Sequence, residues 1–233
     1  MKIGIVGNGS DKFNAIQEKA VRRYINRILL EILVNDDIPT LVSGHSMLEG
    51  IDIWSEQEWD AADCPKDIQA PETEDWDDQW KCIKCGDDSP DSDEHFCPKG
   101  GVCEYKLYIG YKTRNLAIAK ISDVTYVILS TKYPDSFTGM KFGKCYHCEG
   151  VKSPWQSQHP WHVKSGACWT GLRAHEFGHQ VVFVFVNDDG SWTEVKHRTE
   201  KRICKRCGHV YERCGYCEDD ICFIDEYRKK EKA

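Results

Sequence analysis

The apolar positions of this chain fall into short runs separated by small-residue turns. Lys2-Ile3-Gly4-Ile5-Val6 barely alternates and is rich in Ile and Val, as a strand buried on both faces should be. Gly7-Asn8-Gly9-Ser10 follows as a tight turn. Across 13–34, apolar side chains recur at Ile16, Ala20, Tyr24, Ile28, Leu29 and Leu33, the spacing of one helical face. Pro39-Thr40-Leu41-Val42 predicts a second strand, ending in the turn Ser43-Gly44-His45-Ser46, and a helix is expected from about Gly50 to Ala62. Arg114–Ile121 has helical spacing again, and Val124–Leu129 predicts a third strand. Ser165-Gly166-Ala167-Cys168-Trp169-Thr170 is a third small-residue turn, opening a helix to about Phe177. Gln180–Val186 is the last strand expected, and from about Asn187 the chain reads as a charged, cysteine-rich tail.

Strand, glycine turn and helix in alternation predict an α/β fold: a Rossmann-like parallel sheet with helices on both faces. Two stretches break the pattern, about 63–107 and 130–164, and both read as loop insertions with little regular structure. The division expected is a nucleotide-binding domain over 1–186 carrying these insertions, then a zinc-ribbon-like tail over 187–233. The longest clean apolar run, Val181–Val186, is far short of the roughly 20 residues that span a bilayer. With no export signal in the pattern, a cytoplasmic protein without a membrane segment is expected.

Charge changes the picture locally. The net charge is −7, but residues 49–94 hold 17 acids against three lysines, so the remainder of the chain is basic. The acidic block reads as a solvated insertion. Lys196–Arg213 carries seven Lys/Arg and two Glu, a face that suits phosphate or simply solvent.

Cysteine changes it more. Of 13 cysteines, eight form four Cys-x-x-Cys pairs: Cys82/Cys85, Cys145/Cys148, Cys204/Cys207 and Cys214/Cys217. A tight knuckle aims two thiolates at one ion, so this spacing points to structural zinc, two to three ions in all, rather than disulfides. In the tail, Cys204, Cys207, Cys214 and Cys217 make one complete set, closed to water, with Cys222 spare. The first insertion offers Cys82, Cys85, Cys97 and Cys103, with His95 as a substitute. The second offers Cys145, Cys148, His159 and His162, with Cys168 a further candidate. Pairing Cys82/Cys85 with Cys145/Cys148 across the insertions remains open. Both insertions should emerge near the carboxyl rim of the sheet, where zinc loops would cover a ligand and Trp80, Trp155 or Trp161 would stack on a base or fill the loops' own small cores.

In such sheets ligands sit beyond the carboxyl ends of the strands. Helix N-termini there leave backbone N–H groups for an anion. Taken jointly and in order, Gly4-Ile5-Val6-Gly7, Val42-Ser43-Gly44 with Gly50-Ile51-Asp52, Arg114-Asn115 with Asp123, and Ser165-Gly166-x-x-x-Thr170 resemble the SLOG superfamily, which includes DprA-type DNA-processing proteins and the lonely-guy (LOG) phosphoribohydrolases. The resemblance covers about 1–62 and 108–186. It implies binding of a nucleotide, a nucleotide-derived signal or nucleic acid. The ligand-binding candidates are Gly7, Asn8, Gly9, Ser10, Ser43, Gly44, His45, Asp52, Arg114, Asn115, Ser165, Gly166 and Thr170.

The LOG enzymes pair an arginine, matched here by Arg114, with a glutamate that falls at Leu172. Leucine can neither move a proton nor stabilise an oxocarbenium ion. Arg114 is therefore read as a phosphate clamp, and the expectation is binding without turnover. The alternatives are a LOG-like N-glycosidic hydrolase or transferase using Arg114 with Glu176 or Asp52, and a DprA-like protein that binds nucleic acid through its basic zinc tail. Self-association into a homo-oligomer is left open. Asp123, just before a strand, reads as a turn or cap residue.

Overall fold

The computed structural model describes residues 1–35, 37–46, 49–87, 97–101, 103–143, 145 and 159–197. The tail ligands Cys204, Cys207, Cys214 and Cys217, together with Cys148, Cys222, His95, Trp155 and most of the basic stretch, lie outside them.

The chain runs β1 (Lys2–Gly7), a 3-10 turn (Ser10–Lys12), α1 (Ala15–Leu33), β2 (Thr40–Ser43), α2 (Ile51–Ala61) and β3 (Lys66–Ile68). A hairpin of β4 (Gln79–Cys82) and β5 (Tyr105–Tyr108) follows, then α3 (Tyr111–Ile121), β6 (Val124–Ser130), α4 (Gly166–Glu176), β7 (Gln180–Val186) and β8 (Trp192–His197). Six strands form one sheet in the order β3-β2-β1-β6-β7-β8. All neighbours are parallel except β7 and β8. This is a Rossmann-like α/β sheet, as the strand–turn–helix pattern predicted. Strand order reverses between β1 and β6, and the crevice outside that reversal is where such sheets hold ligands.

The pleat divides the core. Ile3 and Ile5 of β1, with Val182, Val184 and Val186 of β7, face α1 and α2 and bury Tyr24, Ile28, Trp54 and Trp59. Val6, Val127, Leu129, Val181, Phe183 and Phe185 face the other way, against Ile118 and Ala119 of α3 and Cys168 and Ala174 of α4. Each large side chain fully buried here contributes about 1.5–3 kcal/mol. Helix α1 starts at a capping box: Asn14 accepts from the Gln17 N–H at 2.8 Å, and the Gln17 side chain accepts from the Asn14 N–H at 2.9 Å.

Two expectations need correction. The stretch 63–107 is not irregular throughout: Lys66–Ile68 adds a parallel strand beside β2, and β4 and β5 pair antiparallel. These strands are three or four residues long and rich in polar side chains, so no apolar run marks them. The sheet also does not stop at Val186. After a turn, Trp192–His197 returns antiparallel along the whole of β7.

Strand β8 is pinned to α1. The Trp192 ring meets Tyr24 edge-on at 5.4 Å, the Arg27 guanidinium lies 4.7 Å from the Tyr24 ring centre, and Arg27 pairs with Glu194. Desolvation pushes the Glu194 carboxyl up, but hydrogen bonds from Arg27, Lys196 and Tyr24 outweigh it and hold the group below its ordinary range. A depressed carboxyl stabilises the fold above its unfolded pKa and loses that contribution as pH falls through the folded value. Glu194→Gln should therefore cost about 0.5–1 kcal/mol at neutral pH. The deficit should shrink below about pH 4.5, read as the difference in thermal midpoint between variant and parent along a pH series. Among the described residues, no helix is long and apolar enough to cross a membrane.

Candidate functional site

The carboxyl rim is assembled from four segments. The turn after β1 is stitched to its neighbours by Asn8, whose Oδ1 accepts from the Ser130 N–H at 2.9 Å and whose carbonyl accepts from the Ile51 N–H at 3.3 Å. Its side-chain nitrogen reaches the Lys164 carbonyl at 3.4 Å. The Asn8 side chain is thus a brace between β1, β6 and the approach to α4. Gly50 caps α2 at φ +90°, and a Cβ there would lie 2.6 Å from the Asn8 carbonyl oxygen. Only glycine takes that backbone angle in that space without strain.

Arg114 and Asp52 meet at this rim. Arg114 rises from the first turns of α3 and Asp52 from the first turn of α2. Their side chains are 7% and 6% exposed and 3.2 Å apart. Burial pushes the Asp52 carboxyl up, Arg114 pulls it down, Glu56 pushes it up again, and the net direction is upward. Arg114 Nε is buried without a hydrogen-bond partner, and the guanidinium lies 4.9 Å from the Tyr111 ring centre. A Cβ on Gly44 would fall 1.8 Å from Arg114 Nη1, so the bare backbone at Gly44 is what lets the guanidinium lie against the end of β2.

Glu56 was not among the residues picked from the sequence. It stands one helical turn after Asp52, buried, and accepts from Ser43 Oγ at 2.5 Å, while its other oxygen is 2.8 Å from His45 Nδ1. The signal was the Asp52-x3-Glu56 spacing, which puts both carboxylates on one helical face. His45 sits in the left-handed region at φ 47°, and its side chain is 53% exposed. The rim therefore holds two carboxylates, an arginine and a histidine across β2, α2 and α3.

The acidic segment before β4 is more than solvated surface. Asp78 accepts from the Gly110 N–H and the Thr113 hydroxyl, both at 2.8 Å. The N–H groups of Tyr111 and Lys112 donate to the Asp75 and Trp76 carbonyls. This segment thus supplies the N-terminal cap of α3, where carboxylates are favoured. Trp76 lies against Gly166 and meets Trp169 edge-on at 5.5 Å. Trp76 is the aromatic ring found at the glycine turn. Trp80 and Trp161 are 53% and 42% exposed, and the Trp161 indole donates to the Gly143 carbonyl.

Ser165 caps α4: its hydroxyl accepts from the Ala167 N–H at 3.1 Å and reaches the Gly7 carbonyl at 3.3 Å. Asn115 is buried beside Gly166. Thr170 is fully buried with its hydroxyl on the Gly166 carbonyl, so its side chain serves the helix. Leu172 is buried too. Glu176 pairs with Arg173 in the last turn of α4, ten residues and about 15 Å along the helix from Gly166; it does not join Arg114. Asp123 accepts from the Lys2 N–H at the opposite end of β1, which is a capping role.

Four thiols of the first insertion converge. Cys82, Cys85, Cys97 and Cys103 have sulfurs within 4.8 Å of one another and could hold a metal ion. Each half is a knuckle: the Gly86 N–H donates to the Cys82 carbonyl and the Gly100 N–H to the Cys97 carbonyl, both at 2.8 Å. Their mutual contacts split the thiols: the N–H of Cys85 leads the influences that draw the Cys82 thiol down to about 6, while Cys85 is pushed up to about 12 and burial raises Cys103. Among the described residues, Cys145 groups with other partners and not with Cys82 and Cys85. In the second insertion the residues brought together are Cys145, His162 and Cys168. His159 instead has its Nε2 3.1 Å from Nε2 of His197 on β8. Burial first, then His197 and His162, push the His159 imidazole down to about 3.

No protein-family model and no curated protein matches the chain. Among solved structures, a chain described as Sir2 with a p53 peptide and NAD+ matches over 80% of this chain and 81% of that one, at 10% identity and a TM-score of 0.25.

Proposed function

We propose that this protein binds a nucleotide or nucleotide-derived small molecule at the carboxyl rim between β1, β2 and β6, with zinc in the Cys82–Cys85–Cys97–Cys103 group as a structural element beside it. The observation that carries the reading is Arg114. A guanidinium is costly to bury, and here one carboxylate contact leaves its Nε without a partner. Phosphate is the ligand whose oxygens match that fork. The helix N-termini at Gly50–Ile51 and Ser165–Gly166 add partial positive charge at the same rim. Four thiolates are the donor set of a closed structural zinc site.

Titration calorimetry with nucleoside monophosphates tests this. Binding should change little with salt. It should weaken about 10- to 100-fold in Arg114→Gln, the effect of losing a charge-assisted hydrogen bond. Unchanged affinity in a folded Arg114→Gln would sink the reading.

A second reading is favoured by one observation. Asp52 is a buried carboxyl held above its ordinary range in contact with Arg114, the state a general acid requires. Hydrolysis of the N-glycosidic bond of a nucleoside monophosphate, with Asp52 protonating the departing base and water adding to the ribose carbon, would release free base, and release should vanish in Asp52→Asn. Absence of free base from the parent protein leaves the binding function alone standing.

A further inference from the structure

We infer that Cys145, His162 and Cys168 are ligands of a second zinc ion, one that fastens the first turn of α4 to the loop leaving β6. The ligand atoms of the three lie within 4.8 Å of one another, and the residues are 4%, 3% and 0% exposed. Cys168 Sγ is 3.3 Å from His162 Nε2.

The imidazole is set for ligation. His162 Nδ1 lies 2.8 Å from the Pro160 carbonyl oxygen. A carbonyl can only accept, so Nδ1 carries the proton and Nε2 presents its lone pair to the Cys168 sulfur. A backbone carbonyl on the far nitrogen is the usual outer partner of a zinc-bound histidine. The surrounding backbone is held as well: the Val163 N–H donates to the Ser130 carbonyl at 2.8 Å.

Other uses of the three residues fit less well. A Cys168–His162 nucleophile pair needs substrate access, and reactive cysteines are partly exposed; Cys168 is fully buried. Simple packing does not account for two cysteines 23 positions apart converging on one imidazole. Among the described residues the set is Cys2His, which suits zinc; Cys148, the other half of the Cys145 pair, lies outside them.

The consequence is mechanical. Cys168 lies three residues after Ser165, whose hydroxyl reaches the Gly7 carbonyl, so the ion would fix the α4 turn against the turn after β1. This holds whether or not the rim binds a nucleotide.

Elemental analysis of the full chain tests the assignment on metal content alone. Cys168→Ser and His162→Gln should each lose one zinc per chain relative to the parent, whereas His159→Gln should keep it. His162→Cys should also keep it, and after cobalt substitution should show stronger thiolate-to-cobalt absorption. An unchanged zinc count in folded Cys168→Ser, or a loss in His159→Gln, overturns the assignment. If Cys168→Ser does not fold, His162→Cys decides: a cobalt spectrum identical to the parent's overturns it. Rim binding has its own readout in Arg114→Gln, so the two ideas fail separately.

Discussion

Arg114→Ala should destabilise the fold by about 3–5 kcal/mol at neutral pH, the usual cost of breaking a buried ion pair from one side. The charge left behind is that of Asp52, 6% exposed and without the guanidinium 3.2 Å away. Burial and Glu56 already hold its carboxyl above the ordinary range against the pull of Arg114. Deleting Arg114 removes the opposing influence, so the carboxyl must rise further. A carboxyl raised in the folded state binds more protons there than in the unfolded chain, and stability falls as pH climbs toward the folded pKa. The Arg114→Ala deficit should therefore be smaller in mild acid, where the raised Asp52 carboxyl is protonated in the folded state, and largest at neutral pH. Adding Asp52→Asn should recover much of the loss, because no buried charge is then stranded. Denaturant unfolding of the two single variants and the double variant, at pH 5 and pH 7.5, reads all of this. Equal deficits at both pH values, with no recovery in the double variant, would show that Arg114 supports the fold through packing on Tyr111 and Gly44 instead.

The same rim shows where sequence reasoning reached and where it stopped. Strands β1, β2, β6 and β7 are legible because fully buried parallel strands must be runs of Ile, Val and Leu. The edge strands are not. Trp192-Thr-Glu-Val-Lys-His197 is mostly half-buried or exposed, with only His197 buried, and such a charged stretch resembles a solvated tail until Tyr24 and Arg27 are known to cover it. Counting charge treated the 17 acids of 49–94 as one block. The fold separates them by role: Asp52 and Glu56 are buried at the rim, Asp78 caps α3, and others are solvated. Nothing in composition distinguishes these, because the difference lies in what each carboxylate meets in space. Cysteine spacing behaved similarly. Cys82, Cys85, Cys97 and Cys103 are close in sequence and fold into two knuckles, one of the two pairings that spacing leaves open. Cys168 joins Cys145 and His162 only because the first turn of α4 is carried under the end of β6, and local spacing does not encode that.

Stripping zinc with a chelator should unfold the β4–β5 hairpin while leaving the six-stranded sheet folded. Among the described residues, the hairpin's core is Cys82, Cys97 and Cys103, buried, with Cys85 and Tyr105 partly covered. Trp80 and Ile83 are each 53% exposed and contribute little burial. A two-stranded sheet is marginal in water, and ordering its backbone costs about 1–2 kcal/mol per residue. Zinc–thiolate binding of about 10–16 kcal/mol is the scale of interaction that offsets this. Hydrogen exchange should therefore show protection lost across 79–87 and 97–108 on chelation, with β1, β6 and β7 unaffected. Cys85→Ser should do the same without chelator. The effect should reach the rim, because the segment ending at Asp78 caps α3 and Trp76 lies on Gly166. A loosened cap would let the first turn of α3 fray, and Arg114 sits in that turn. Nucleotide affinity should fall with the hairpin's protection, and both should return on adding zinc. Amides that stay protected after the metal is removed would mean that the thiols and Tyr105 suffice as a core, and that the hairpin does not depend on an ion.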